Sequence, residues 1–520
     1  MRKIMLALSV FALGFIFLYH LGLPALLDSD ETRYADMARG MLLSKDFITP
    51  YLDGRIFWDK PPLFFWLLCF SYKCLGISEF SVRIPSVLSA LTAIVALFFA
   101  VKKTATTKVA IISAIILATS VEFVIFAKVS ILDMVLTSNI TLSLLCGLMT
   151  YFVKEENKKY FWWMFYLFSA FGALAKGIPA VVVPFGVMFF VGIWKKNLKE
   201  FFKPQYFCAG LALFLLVALP WHVMMYKIHG AEFVKEYIVK HHFQRFIGSA
   251  EIGRKHTMIY YIPTFIVGFL PWILPFLFGL KRLVADRKNE FVVMNLIGFA
   301  FTLLFFSSAS TKLITYILPL YPIASVLCGY MWFNPDYIKE IKYAIITTNA
   351  AFIIFAILVA FAGLYLPQDI YVAIKSVQFP IVIAFIVCGL FRRRITALIA
   401  YVVLIMFLSG IMIPKLFNVW YGFGQNELME YAKYAKQNEL KLGAYNLWER
   451  FSLQYYYDGD VEYFQNGEAY GAQYVMTTEF KDSFNGDVVV IENEEMPKLT
   501  IKYNIIKKGK RYSLIEENHE

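Results

Sequence analysis

The chain has 520 residues, of which 59% are hydrophobic, 18% aromatic and only 17% charged, with a formal net charge of +12. A typical soluble domain is about 25% charged, and the mean hydropathy here is +0.59. These values exclude a disordered chain, a soluble enzyme and a small disulfide scaffold. They indicate a polytopic membrane protein, whose basic excess belongs first to cytoplasmic loops rather than to nucleic-acid binding.

The chain opens with Met1-Arg2-Lys3 and an apolar run to Leu23, which leads into Pro24 and an acidic cluster rather than a small-residue cleavage site. This is an uncleaved first helix with its N-terminus inside. Apolar runs long enough to cross a bilayer follow, giving spans at roughly 4–23, 81–101, 109–127, 131–153, 160–175, 177–194, 206–225, 258–280, 291–308, 313–332, 342–365, 370–391 and 395–413, about thirteen in all. The pair at 160–194 is short, and Pro179 and Pro184 interrupt its second member.

Loop charges support this count. With Arg2 and Lys3, the connections assigned to the cytoplasm carry 21 basic residues, among them Lys102/Lys103/Lys108, Lys195/Lys196/Lys199/Lys203 and Arg392/Arg393/Arg394. The short loops opposite carry only Lys128, Lys176 and Lys312. Omitting one helix would invert every later loop. An odd number of spans places the C-terminus outside.

The predicted architecture is an α-helical polytopic membrane domain over residues 1–414 and a small periplasmic α/β domain over 415–520, with long external loops at 24–80 and 226–257. In the tail, Tyr431 to Leu440 reads as helix, and Asp487–Ile491 and Leu499–Ile506 as strands, with Asn485-Gly486 as a turn. The tail holds 12 basic and 17 acidic residues, which leaves +17 on residues 1–414. Most of that excess is an orientation signal. The cysteines carry no CxxC, and Cys146, Cys208, Cys328 and Cys388 lie in apolar runs as small buried hydrophobes.

Charges at membrane depth, or against it, are functional candidates. The first external loop holds the densest set: Asp28-Ser29-Asp30-Glu31-Thr32-Arg33-Tyr34-Ala35-Asp36, then Asp53-Gly54 as a turn, then Phe57-Trp58-Asp59-Lys60-Pro61-Pro62-Leu63. Ser29 or Asp30 caps a helix, and Glu31 lies in its first turn, where the dipole favours an acid. Read alone, this segment is equally a surface helix on the membrane. Pro61 and Pro62 stiffen the exit from Lys60, and Leu63–Leu75 is too short to span, so it lies at the interface. Lys60 is then a fixed cation suited to a lipid phosphate, or simply a partner for Asp59. Glu122 falls inside the third span, with Lys128 or a polar neighbour as its expected partner.

These residues resemble a family. Asp-Glu-x-Arg-Tyr-Ala-Asp followed by Phe-Trp-Asp-Lys-Pro-Pro-Leu resembles the bacterial 4-amino-4-deoxy-L-arabinose transferases of lipid A, which group with the protein O-mannosyltransferases in the GT-C glycosyltransferase superfamily. The resemblance runs over roughly residues 1–420 through Leu132-Asp133-Met134, Ala175-Lys176-Gly177, His242-Phe243-Gln244-Arg245-Phe246 and Ser310-Thr311-Lys312 to Tyr316 and Pro319. It implies an inner-membrane enzyme that moves a sugar from a polyprenyl (undecaprenyl) phosphate on the periplasmic face, most simply aminoarabinose to lipid A. Another sugar delivered to protein or to a surface glycan is the alternative.

The resemblance also assigns roles. Asp30 is the catalytic candidate, with Asp133 as the second carboxylate. Lys60 and Arg245 hold the donor phosphate. Glu31, Arg33, Tyr34, Lys176, Lys312 and Tyr316 complete the expected substrate-binding set. Asp59 and a histidine, His242 ahead of its rivals His241 and His256, are expected to hold a zinc ion, with Asp59 a shorter arm than the family's usual Glu. Cations at the phosphate oxygens would stabilise the leaving group in a partly dry site. For a hydroxyl acceptor Asp30 is a general base; for an already ionised lipid A phosphate it orients the sugar. A transporter or flippase reading lacks the repeated halves with matching broken helices that such folds show. A non-catalytic scaffold that presents the tail is the third reading.

Overall fold

The computed structural model describes residues 11–518 except 53, 245–255, 363–393, 408, 410–421, 448–449, 465–486 and 500–501. The expected span at 370–391, the Asn485-Gly486 turn and Arg245 lie outside the described residues.

After a helical stretch at 11–18, the segment expected to form the first external loop folds into helix α1 (Asp30–Ser44), a hairpin of β1 (Tyr51–Leu52) and β2 (Arg55–Ile56), and helix α2 (Leu63–Leu75). Asp30 and Glu31 occupy the first turn of α1, and Lys45, in the left-handed region at φ 62°, ends it. The Asp46 carboxylate then accepts the Ile48 and Thr49 amides at 2.9 and 3.1 Å, turning the chain towards the hairpin. Two indoles pin this stretch: Trp221 donates to the Ile48 carbonyl at 2.9 Å and Trp66 to that of Phe47 at 2.7 Å.

The membrane helices follow. They are α3 (Glu79–Thr104), α4 (Thr107–Ala118), α5 (Val121–Ala127), α6 (Leu132–Met149), α7 (Glu155–Lys176), α8 (Pro179–Trp194) and α9 (Pro204–His229). A π-helix covers Val234–Gln244. Then come α10 (Tyr261–Gly268), α11 (Ile273–Ala285), α12 (Glu290–Ser308), α13 (Leu320–Phe333), α14 (Ile338–Ala362) and α15 (Arg394–Phe407). A reciprocal Ser78–Ser81 capping box starts α3.

Among the described residues, α3, α6, α9 and α12 are each long and apolar enough to cross a membrane. Two expected single spans are broken. The run at 109–127 bends by 64° between α4 and α5, and the run at 258–280 bends by 119° between α10 and α11. Thr119 and Ser120 turn their hydroxyls back on carbonyls of the preceding turn at one break, and Pro271 cannot continue the amide ladder at the other. The breaks face each other. The Val121 N–H donates to the Leu270 carbonyl at 3.2 Å, and the Trp272 indole donates to the Thr119 hydroxyl at 3.0 Å. Polar backbone freed in an apolar setting is thus re-satisfied between helices. Glu122 lies here, and of the two expected kinds of partner it takes the polar neighbour, the Tyr321 hydroxyl at 2.5 Å, while the Lys128 ammonium reaches the Tyr19 and Ser409 carbonyls at 2.9 Å each.

The tail begins with α16 (Gly422–Gln437) and α17 (Phe451–Tyr457) and carries a five-stranded mixed sheet. Its strands are β3 (Leu442–Tyr445), β4 (Glu462–Phe464), β5 (Val488–Glu492), β6 (Tyr503–Lys508) and β7 (Tyr512–Glu517), in the order β4-β3-β5-β7-β6. β3 pairs parallel with β4 and β5, while β7 runs antiparallel to β5 and β6. β3 and most of β5 are buried, as expected of central strands. The basic turn after β6 is held by Glu427, whose carboxylate accepts the backbone amides of Lys510, Arg511 and Tyr512.

Candidate active site

The N-terminal ends of α6 and α8 and the C-terminal end of α7 meet the loop before α2, the π-helix and the segment after α12. Between them lies a cavity of about 380 Å³. Asp59, Lys60, Asp133, Lys176, His241 and Tyr316 supply its polar lining, and Leu136, Ile178, Pro179 and Phe306 supply apolar wall. The Lys60 ammonium lies 2.7 Å from Asp59 Oδ1, and the same oxygen is 3.0 Å from His241 Nδ1. Lys176 is ion-paired with Asp133, and its ammonium lies 3.7 Å from the Tyr316 ring centroid. Lys60 and Asp133 are only 9% and 8% exposed, so these charges act in a partly dry medium where their mutual effects are strong.

Each element positions its residue for a local reason. Asp133 sits in the first turn of α6, where the dipole favours a carboxylate, and Lys176 ends α7, where it favours a cation. Gly177, at φ 83°, turns the chain sharply after Lys176, and Pro179 opens α8. Pro61 and Pro62 separate Lys60 from α2.

The other residues singled out from the sequence are placed differently. Asp30, about half exposed, is ion-paired to Arg33, whose guanidinium lies 5.2 Å from the Tyr34 ring and 5.5 Å from that of Phe57. Neither Asp30 nor Arg33 lines the cavity. Tyr34 is buried against Phe64 and Phe65. Its phenol is held well above the ordinary range, first by burial and next by the Asp30 charge, with Asp59 and Asp133 adding to the effect. A neutral hydroxyl therefore lies within reach of all three carboxylate fields.

Glu31 turns away from the cavity into a buried pair with Arg83. The Arg83 Nε and Nη2 each reach the carboxylate at 2.9 Å, and the amides of Ser130 and Leu27 donate to it at 2.7 and 2.9 Å. The expected donor contact through Glu31 gives way to a role in fixing the loop. Lys312 directs its ammonium to the His256 carbonyl at 3.0 Å and to that of Ala309, while its neighbour Thr311 lines the cavity. Burial lowers the Lys312 pKa.

The residue facing Asp59 is His241. His242 belongs to the same π-helix, and its side chain lies outside the described residues. Asp59 and His241 bring two metal-binding groups together, and no cluster of three or more such groups occurs among the described residues. Zinc sites use three or four protein ligands. The described residues do not complete one, and no step below passes through a metal.

Sequence reasoning missed Arg83 and the anchoring role of Asp28. The signal for Arg83 was a lone guanidinium at the start of an apolar span, a position that demands a partner.

The dolichyl-phosphate-mannose-protein mannosyltransferase family profile matches residues 59–224, a stretch that carries Asp59, Lys60, Asp133 and Lys176. An undecaprenyl phosphate-alpha-4-amino-4-deoxy-L-arabinose arabinosyl transferase of Pectobacterium atrosepticum is 31% identical over 341 residues, covering 64% of this chain and 60% of that protein. Over these stretches the chain is similar to the aminoarabinose and protein-mannose transferases. A similarly named protein of Proteus mirabilis is 31% identical over 60% of this chain and 55% of its own length. The chain thus spans somewhat under two thirds of these named relatives. An uncharacterised protein of Aquifex aeolicus is 28% identical over 80% of this chain and 79% of its own. The crystal structure of ArnT from Cupriavidus metallidurans bound to undecaprenyl phosphate superposes with a TM-score of 0.83 over the whole chain and 98% of that protein, at 19% identity. The chain therefore shares the fold of that protein.

Proposed function

We propose that this chain is an inner-membrane glycosyltransferase that moves 4-amino-4-deoxy-L-arabinose from undecaprenyl phosphate to lipid A at the periplasmic face. The observation that carries this reading is the convergence of Lys60 and Lys176, each beside a carboxylate, on one largely apolar cavity. The names of the relatives in Pectobacterium and Proteus supply the sugar and the carrier.

In this mechanism an oxygen of a lipid A phosphate attacks the anomeric carbon of the donor sugar. The bond from that carbon to the carrier phosphate breaks, and undecaprenyl phosphate leaves with the electron pair. Lys60 and Lys176 stabilise the charge that develops on the departing phosphate, and the apolar walls strengthen that effect by excluding water. The acceptor is already ionised, so Asp30 and Asp133 orient the sugar through its amino and hydroxyl groups rather than remove a proton. Arg245 is the further expected phosphate ligand.

The same reading divides the chain into a membrane domain at 1–414 and a periplasmic tail at 415–520. It gives about thirteen spans and a cytoplasmic N-terminus. The positive loops at 102–108 and 195–203 support that orientation.

Mass spectrometry of lipid A from cells with and without the gene tests the proposal. Aminoarabinose on a lipid A phosphate, present only with the gene and lost in Lys60→Ala, is the expected result. Unchanged lipid A with an altered glycoprotein would favour transfer to protein, the activity in the description of the matching family profile.

A further inference from the structure

The first external loop and the tail are built on one apolar core. Leu26, Tyr34 and Met41 of the loop belong to the same buried cluster as Leu428, Tyr431 and Leu453 of the tail. Polar ties concentrate at two residues that bracket the turn bearing Asp30 and Arg33. Asp28, half-buried and two positions before Asp30, receives four hydrogen bonds: from the Ser452 amide at 2.8 Å, the Ser452 hydroxyl at 2.6 Å, the Gln425 amide group at 3.1 Å and the Thr32 hydroxyl at 2.7 Å. Three of these come from the tail. Beyond the turn, Arg39 reaches Asp458 at 2.7 Å and the Tyr455 carbonyl at 2.9 Å. The Leu26 amide adds a bond to the Tyr456 hydroxyl at 2.9 Å.

Stability alone does not account for Asp28. Its pKa is raised, because burial outweighs the hydrogen bonds that favour the charged form. The apolar core already joins the two parts. What the four directed bonds add is geometry: they fix the start of α1 in one orientation.

We propose that the tail is a positioning element for catalysis, in which Ser452 and Gln425 hold Asp28 and thereby set the placement of the Asp30 carboxylate and its partner Arg33. This rests on the reading above that Asp30 acts on the donor sugar. Asp28 and Ser452 are positioning residues, since they act through the helix start. A displacement of about 1 Å at a reacting group can cost about 100-fold in rate.

The test uses the full-length chain in lipid vesicles, comparing Ser452→Ala, Asp28→Asn and Ser452→Thr with the unaltered protein. Transfer kinetics, undecaprenyl phosphate affinity and amide hydrogen exchange are measured for each. Ser452→Ala and Asp28→Asn are expected to lower kcat by about 10- to 100-fold while donor KM and carrier affinity stay within about two-fold. Exchange should rise across 30–44 and not across 63–104, and Ser452→Thr should restore both kcat and protection. Unchanged kcat, a parallel loss of carrier affinity, or unchanged exchange at 30–44 would each overturn the proposal. If the unaltered protein neither binds the carrier nor transfers sugar, the functional reading fails. The exchange comparison then still decides whether the tail orders α1.

Discussion

Arg83 grips Glu31 through two hydrogen bonds of 2.9 Å each, with both side chains almost fully buried. Arg83 also donates to the carbonyls of Leu21, Pro24 and Ala25, so one guanidinium ties the start of α3 to the exit of the first helix and to the first turn of α1. Removing either partner strands a buried charge, which costs about 3–5 kcal/mol. Glu31→Ala and Arg83→Ala should each lower the thermal midpoint of the purified protein sharply. The double variant Glu31→Leu with Arg83→Met should recover only part of the loss, because the Ser130 and Leu27 amides then lack their acceptor. A near-neutral single substitution would show that the pair does not hold the loop.

Lys176 sits between two kinds of partner, the Asp133 carboxylate and the face of Tyr316. The ring contact needs the π-face and not the hydroxyl. Tyr316→Phe should therefore keep transfer within a few-fold of the unaltered rate, while Lys176→Ala loses about 100- to 1,000-fold, as expected for removing a group that stabilises charge in the transition state. Steady-state kinetics on the two variants decide this. A large loss in Tyr316→Phe would mean that the hydroxyl touches the substrate.

How far the sequence reached depends on the kind of interaction. Local signals placed Asp133 and Lys176 only at helix ends, where dipole and glycine chemistry act within a few residues, and the resemblance to a family was needed to single them out as site residues. Loop charge gives an orientation to be tested, because topology follows the summed basic residues. Glu31 misled for a physical reason: its partner Arg83 is 52 positions away, and nothing local separates a carboxylate facing substrate from one buried against arginine. The breaks at Thr119 and Leu270 escaped for the same reason, since each is stabilised by the other across 149 residues of chain. Asp28, next to the noticed Asp30, has three of its four donors in the tail, at positions 425 and 452.

Asp59 stands between Lys60 and His241, and one of its oxygens serves both. Both residues line the cavity, and His241 is linked to Lys60 through Asp59. Lys60→Ala should weaken undecaprenyl phosphate binding by at least about 10-fold, the scale of losing one hydrogen bond to a charged group. His241→Ala should weaken it by less, because the ammonium keeps its bond to the Asp59 carbonyl at 3.3 Å. Binding measured with the carrier lipid in detergent separates these outcomes. Equal losses would place His241 on the ligand itself.

Orientation can be tested with single cysteines in a cysteine-free background. Lys199 and Lys508 are both exposed, the first in the basic connection between α8 and α9 and the second on β6 of the tail. With about thirteen spans and a cytoplasmic N-terminus, a thiol at 199 faces the cytoplasm and one at 508 the periplasm. A membrane-impermeant maleimide added to intact spheroplasts should label Lys508→Cys and spare Lys199→Cys until the membrane is opened. The four unbroken apolar helices and two bent pairs do not determine this, because a bent pair is either one span or a re-entrant loop that returns to its own side. Labelling of Lys199→Cys alone would make the first bent pair re-entrant, labelling of neither would make the second re-entrant, and labelling of both from outside would make both pairs re-entrant with the tail still outside.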